Sequence, residues 1–235
     1  MDKIRFRASQ VGKLMTNPRS KKDREAGVLS QTAKSMIEER FLEVQYGARE
    51  PIVTDEMLKG HIVESDSVRL LNEALPVSEY RQLYRGKRKH NDYFSGTCDI
   101  LLSNAVEDIK SSWSLKTFFN VRENNIPDIY YAQGQVYMDL FERDTFRLCY
   151  ALISTPDELL NGAERRLLYK FNGEESNDYQ QAVQQLWSIH KVDHIPAQDR
   201  VKVFHFKRDE EYLTELKSRV EKAREYYDTL SLNMT

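Results

Sequence analysis

A chain of 235 residues with 40% hydrophobic and 31% charged side chains can bury a sizeable core and is too apolar for a disordered protein. No run approaches the roughly 18 uninterrupted apolar residues of a membrane span, and the opening MDKIRFRASQ lacks the apolar core of a signal peptide, so a cytoplasmic protein is expected. Two cysteines, Cys98 and Cys149, cannot furnish a four-cysteine zinc or iron–sulfur centre.

The net charge of −2 hides an uneven distribution. Residues 1–24 hold eight Lys/Arg against Asp2 and Asp23, and RQLYRGKRKH (81–90) holds five Lys/Arg and no acid. Acids collect elsewhere, notably near the C-terminus. Such asymmetry suits a polyanion gripped on one face.

In chain order, ASQVGKLM (8–15) reads as a short helix with Ser9 as its N-cap. TNPRSKKDREAG (16–27) is a basic loop punctuated by Asn17, Pro18 and Gly27. Apolar spacing predicts a helix over 28–46 that stops at Gly47, and a second from Thr54 to about Leu75, before Pro76. The period then changes to two. Segments 79–85, 92–103 and 105–111 read as strands with turns at Gly86-Lys87 and Ser103-Asn104. Helices are expected over 114–121 and 127–142, with Pro127 in a first turn. A buried strand follows over 144–155, then a helix over 177–190, a strand over 199–208 and a charged helix over 209–230. This order predicts a mixed α/β (α+β) fold, one domain spanning 1–235 around a central sheet.

The strand VEDIK poses a charge problem. Alternation puts Val106, Asp108 and Lys110 on one face and Glu107, Ile109 and Ser111 on the other. Hairpin pairing across Ser103-Asn104 brings Asp99 beside Asp108. Two adjacent carboxylates repel unless a cation or proton lies between them, and hard oxygen ligands suit Mg²⁺. On the helix over 54–75, Glu64 falls amid Met57, Val68, Leu71 and Leu75, a costly place for an unpartnered carboxylate, while Gly60 one turn earlier would admit a close backbone. On the helix over 127–142, Gln133 and Tyr137 lie one turn apart beside Val136 and Leu140. Taken singly, Glu64 reads as a buried salt bridge or a helix-end contact, and Gln133 as a polar member of a core stripe.

Taken together, Gly60-x-x-x-Glu64, Gly96-x-x-Asp99, Asp108-Ile109-Lys110 and Gln133-x-x-x-Tyr137 form an ordered set that resembles the PD-(D/E)xK nuclease superfamily. The resemblance is specifically to its lambda-exonuclease-like, or YqaJ-like, viral recombinase branch. RASQVGKLMTNPRSKK is similar to that family's opening, YYAQGQVYM to its glutamine-bearing helix, and FKRDEEYL to its last strand-to-helix passage. The likeness covers most of 4–150 and 200–230, with 156–198 as an insertion or divergent region. Cys98 replaces a frequent proline, and Asp108 stands where glutamate is commoner. Asp2 occupies the position of an arginine seven residues before Ser9, for which Arg5 or Arg7 would substitute.

The resemblance implies a restriction-endonuclease-like core and a Mg²⁺-dependent (or Mn²⁺-dependent) 5′–3′ exonuclease on double-stranded DNA ends. Asp99, Asp108 and the Ile109 carbonyl would bind one ion, and Glu64 would reach a second ion or its water. Lys110 would orient or deprotonate the attacking water, Gln133 would hold the nucleophile or the lysine head group, and Tyr137 would support that helix. Ser9 with Arg5 or Arg7 would take a 5′-phosphate, and Arg19, Lys21 and Lys22 would contact duplex. A ring-shaped trimer, a single-strand annealing partner, and the cytoplasm of a bacterial host are also implied. A restriction-type endonuclease using 156–198 for specificity, and a non-catalytic DNA-end-binding module, are the alternatives.

Overall fold

The computed structural model describes residues 3–49, 53–75, 80–173 and 176–232; Asp2, Pro76 and Glu79 lie outside them. The chain begins with β1 (Phe6–Arg7), a 3₁₀ turn (Val11–Met15), α1 (Lys21–Glu25), α2 (Gln31–Tyr46), α3 (Asp55–Ile62) and α4 (Glu64–Ala74). Four strands follow, β2 (Lys89–His90), β3 (Phe94–Gly96), β4 (Ile100–Leu101) and β5 (Val106–Ser111), then α5 (Leu115–Asn120) and α6 (Asp128–Phe141). The last third comprises β6 (Thr145–Ala151), α7 (Asp157–Lys170), α8 (Asn177–His190), β7 (Val201–Lys207) and α9 (Glu210–Leu232). Among the described residues no helix is long and apolar enough to cross a membrane.

The strands form two sheets, in the orders β1-β3-β2 and β4-β5-β6-β7. In the larger sheet β5 runs parallel to β6, with Asp108 level with Leu148, while β4 and β7 are antiparallel to their neighbours. Val106, Phe146, Leu148 and Tyr150 join the main core with α6, α2 and α9, whereas Ile100, Ile109 and Cys149 meet α4 on the other face. This is the mixed α/β arrangement that the pattern predicts.

Several boundaries differ from expectation. The helix expected over 54–75 starts at Thr54, whose side chain caps Met57 N–H, but breaks at Val63 (φ −97°, ψ 13°). The break turns the face of its first half: Lys59 is fully buried, Met57 is 49% exposed, and Gly60 has open space around it. The expected Met57 stripe and the close approach at Gly60 are therefore absent. Residues 92–103 divide between the two sheets, because β3 pairs with β1 and β2 while β4 pairs with β5.

Residues 80–85 form no strand: the Asn72 side chain bonds both backbone groups of Arg81 in place of a ladder. The turn at 11–15 is 3₁₀, with Gln10 at the cap position and no side-chain cap, so Ser9 does not cap it. Ser20 instead caps a short helix inside the basic loop. Pro127 is the N-cap residue of α6, one position earlier than expected, and α7 occupies part of 156–198 that carried no predicted element.

Beneath β5 lies a buried ionic network. Glu107 is fully buried, and it accepts from Arg81 Nε at 2.9 Å and Arg147 Nη1 at 3.0 Å. The network spans α4 (through Asn72), β5 and β6. Deleting one member of such a group strands the others' charge in low dielectric. Glu107→Ala should therefore lower unfolding free energy by about 3–5 kcal/mol, read from urea denaturation. A loss typical of surface positions would show that water already compensates the arginines.

Candidate active site

Alternation along β5 puts Asp108 and Lys110 on the α6 face, opposite Glu107. Asp108 is 2% exposed, which demands compensation. Its Oδ1 accepts from Gln133 Nε2 at 3.1 Å, and the same amide donates to Tyr137 Oη at 2.8 Å. Its Oδ2 is ion-paired with Lys110 Nζ at 2.6 Å, and among the described residues no other donor reaches that buried atom. Lys110 Nζ also sits 4.6 Å above the Tyr130 ring, a cation–π contact. Burial works against the Lys110 charge, but Asp108, Tyr130 and Asp99 outweigh it and the ammonium is held above its ordinary range.

Asp99 reaches the site from the residue before β4. The ladder pairs Ile100 with Glu107, and one step further Asp99 stands opposite Asp108. There Asp99 Oδ2 accepts Ile109 N–H at 2.7 Å. In an extended strand a residue's N–H and C=O point to the same edge, so the Ile109 carbonyl faces the Asp99 side. Burial first, then the Asp108 charge, push the Asp99 carboxyl up to about 7, against the Ile109 hydrogen bond and Lys110. Glu64, the half-buried first residue of α4, adds to that push. Gly96 permits this approach, since a Cβ there would lie 2.9 Å from Tyr137 Cε1 and 3.0 Å from Ala8 Cβ.

The fold thus brings Asp99, Asp108, Lys110, Gln133 and Tyr137 into one connected set, with Glu64 beside it. Among the described residues no three His, Cys, Asp or Glu side chains form a metal cluster. A buried carboxylate oxygen met by one ammonium, beside a second carboxyl raised by burial and by its neighbour's charge, is an arrangement that a divalent cation relieves. Two carboxylates and a carbonyl, completed by waters, match the oxygen chemistry of Mg²⁺.

The other expected residues lie nearby or apart. Ser9 is exposed at the end of β1. Arg5 Nε donates to Asn91 O at 2.9 Å, and Arg7 pairs with Glu43 of α2. Arg19 and Lys22 are exposed around α1, and Lys21 pairs with Glu25 at 3.7 Å.

Lys59 emerges only from the structure. Its Nζ donates to Ser112 O at 2.7 Å and Trp113 O at 2.9 Å, while Ser67 Oγ meets Ser111 Oγ at 3.0 Å. Lys59, Val63 and Ser67 are spaced by four and together seat α3 and α4 on the strand end just past Lys110. Burial and Lys191 lower the Lys59 pKa to about 7. The signal was present as the i, i+4, i+8 spacing of these three residues.

No protein-family model matches the chain, and no curated protein matches it. Among solved structures, a phage-related exonuclease from Haemophilus somnus 129PT superposes with a TM-score of 0.78 at 25% identity, covering 99% of this chain and 97% of that one. An alkaline exonuclease from Laribacter hongkongensis gives 0.60 at 13% identity, covering 98% and 95%; its complex with dAMP gives 0.56 at 14% identity.

Because the folded Asp99 carboxyl sits above its unfolded value of 3.8, its contribution to stability is complete below that value. It is lost as pH rises through about 7. In metal-free buffer Asp99→Asn should raise the melting temperature relative to native protein at pH 8, a gain that disappears towards pH 4. An advantage independent of pH would refute the repulsion between the two carboxylates. In fold, the chain is similar over almost its whole length to this phage-related exonuclease and to this alkaline exonuclease.

Proposed function

We propose that this nuclease is a divalent-cation-dependent exonuclease that degrades double-stranded DNA from its ends in the 5′–3′ direction. It would leave 3′ single strands for phage-type recombination. The observation that carries the reading is the convergence of Asp99, buried Asp108 and Lys110 on one strand edge, held by Gln133. Likeness to exonucleases over almost the whole chain supports it. Polarity, the annealing partner and a ring-shaped trimer come from the family resemblance.

Asp99, Asp108 and the Ile109 carbonyl would hold Mg²⁺ or Mn²⁺, which when bound supplies an acidified water and charge stabilisation at phosphate. Lys110 presents a fixed ammonium to the charge that develops on the phosphoryl oxygens. Gln133 fixes the Asp108 rotamer, so the carboxylate needs no reorganisation during reaction. Tyr137, its phenol kept neutral by burial and by the Asp108 charge, braces Gln133. Tyr130 caps Lys110 and limits its conformers.

Mg²⁺ should raise the melting temperature of native protein and leave Asp108→Asn unmoved, since a ligand bound only by the folded state stabilises it. Equal shifts in both would place the ion elsewhere. For activity, linear duplex with and without a 5′-phosphate is incubated with Mg²⁺ beside closed circular DNA. Progressive loss of linear DNA alone is expected, faster from the phosphorylated end; discrete cuts in the circle would mean an endonuclease. Lys110→Ala should reduce digestion by at least about a hundredfold and retain end binding in a gel-shift assay. Normal digestion by that variant would remove Lys110 from the chemistry.

A further inference from the structure

The small sheet places two basic segments on opposite sides of Asp99. β1 and β3 run parallel, with Arg7 level with Ser95 and Ala8 N–H donating to Ser95 O at 2.9 Å. Ser9 therefore leaves β1 at the end where β3 leads towards Asp99. On the other flank β2 is antiparallel, with Lys89 level with Gly96. Tyr84 N–H donates to Asp99 O at 2.8 Å. The segment from Arg85 to Arg88 is thus tied at one end to Asp99 itself and at the other to Gly96. In the strand order β1-β3-β2, Ser9 lies on one side of the catalytic aspartate and this segment on the other.

Its chemistry is one-sided. Arg85, Lys87, Arg88 and Lys89 are all exposed, and among the described residues none of them forms an ion pair. Cations elsewhere are commonly matched: Arg7 with Glu43, Arg208 and Lys217 with Asp139, Arg224 with Glu221. Four uncompensated cations within five residues repel one another. Their turn is nevertheless held in shape. Tyr84 Oη donates to Lys87 O at 3.3 Å, its ring meets Phe141 edge-on at 5.4 Å, and a Cβ at Gly86 would strike it. Arg88 also lines a groove of about 1120 Å³ in which Lys3, Arg5, Arg40 and Arg224 are mixed with Glu221, Glu225 and Asp228.

We propose that residues 85–89 grip the sugar-phosphate backbone of the strand being digested, on the 3′ side of the scissile phosphate. The orientation rests on the function proposed above: if the 5′ end sits on the Ser9 side of Asp99, the undigested strand leaves past the opposite flank. The charge array itself requires only a polyanion.

The test uses full-length protein and a labelled, 5′-phosphorylated blunt duplex in EDTA, with binding followed by anisotropy across a salt series. Lys87→Glu/Arg88→Glu should weaken binding at least about tenfold, and flatten the slope of log affinity against log salt by about 2. Lys170→Glu, on exposed α7, serves as a charge control and should change neither. Neutral methylphosphonates at the first two linkages 3′ of the scissile bond should weaken native protein but add little to the double variant's loss. The same modification in the complementary strand should behave additively. Overturning results are a double variant indistinguishable from Lys170→Glu, or additive losses on the 5′-terminated strand. Native protein that binds ends yet digests no linear DNA with Mg²⁺ or Mn²⁺ would overturn the exonuclease reading. The salt-slope comparison would still decide the grip.

Discussion

Strand β5 has to bury two adjacent carboxylates, one on each face, and the rest of the site is arranged around that burden. Glu107 is satisfied from below by Arg81 and Arg147, Asp108 from above by Gln133 and Lys110. Because side chains alternate, a slip of one residue would send Glu107 into the reaction face and Asp108 towards the arginines. The arginine pair therefore fixes register as well as neutralising charge. Arg147 sits on β6 level with Glu107, so the ion pair locks the same parallel ladder that sets Asp108 opposite Leu148. A buried pair is a weak source of net stability, but here each misregistered arrangement leaves charges unmatched on both sides of the sheet.

The break at Val63 extends this logic to the helices. Lys59 and Ser67 lie on either side of it. With the break, both reach the end of β5: Lys59 at the carbonyls of Ser112 and Trp113, Ser67 at Ser111. Glu64 follows the break directly and is carried to the Asp99 side of the sheet. The lysine's surroundings contain Trp113, Thr155 and His190, with Thr155 Oγ1 and His190 Nδ1 2.9 Å apart. The site is thus anchored through backbone carbonyls just beyond Lys110, where no reacting group is needed.

What the sequence disclosed follows from how local each constraint is. Asp108, Lys110 and the turned-away Glu107 were legible from a period of two within five residues. Asp99 needed only the length of a hairpin, and the 177–190 helix only its apolar spacing. Glu107's partners lie 26 and 40 residues away, and nothing local marks Arg81 or Arg147 as buried. Val63 breaks its helix without glycine or proline, so the apolar stripe was extended through Met57 and the wrong face was assigned to α3. The acceptors of Lys59 are backbone carbonyls, which no residue type announces, so only its spacing from Val63 and Ser67 marks it. The split of 92–103 between two sheets was hidden for a similar reason: the residues favour strand throughout, and only the choice of partner changes.

Net charge says little about where a polyanion would lie, and pairing explains why. Many of the chain's cations are matched in place by acids from neighbouring helices, as Arg208 and Lys217 are by Asp139, so they contribute little field beyond their own neighbourhood. At the Asp99 end of the small sheet the balance differs. There the cations of 85–89 have no ion-pair partner among the described residues on one flank, and exposed Ser9 marks the other. The two aspartates between them would repel a phosphate by themselves. Lys110, a divalent cation and the flanking cations each oppose that repulsion at increasing distance from the reacting atom. A phosphodiester can occupy this acidic edge only because positive charge surrounds it on several sides, and the short three-stranded sheet is what holds those sides in order.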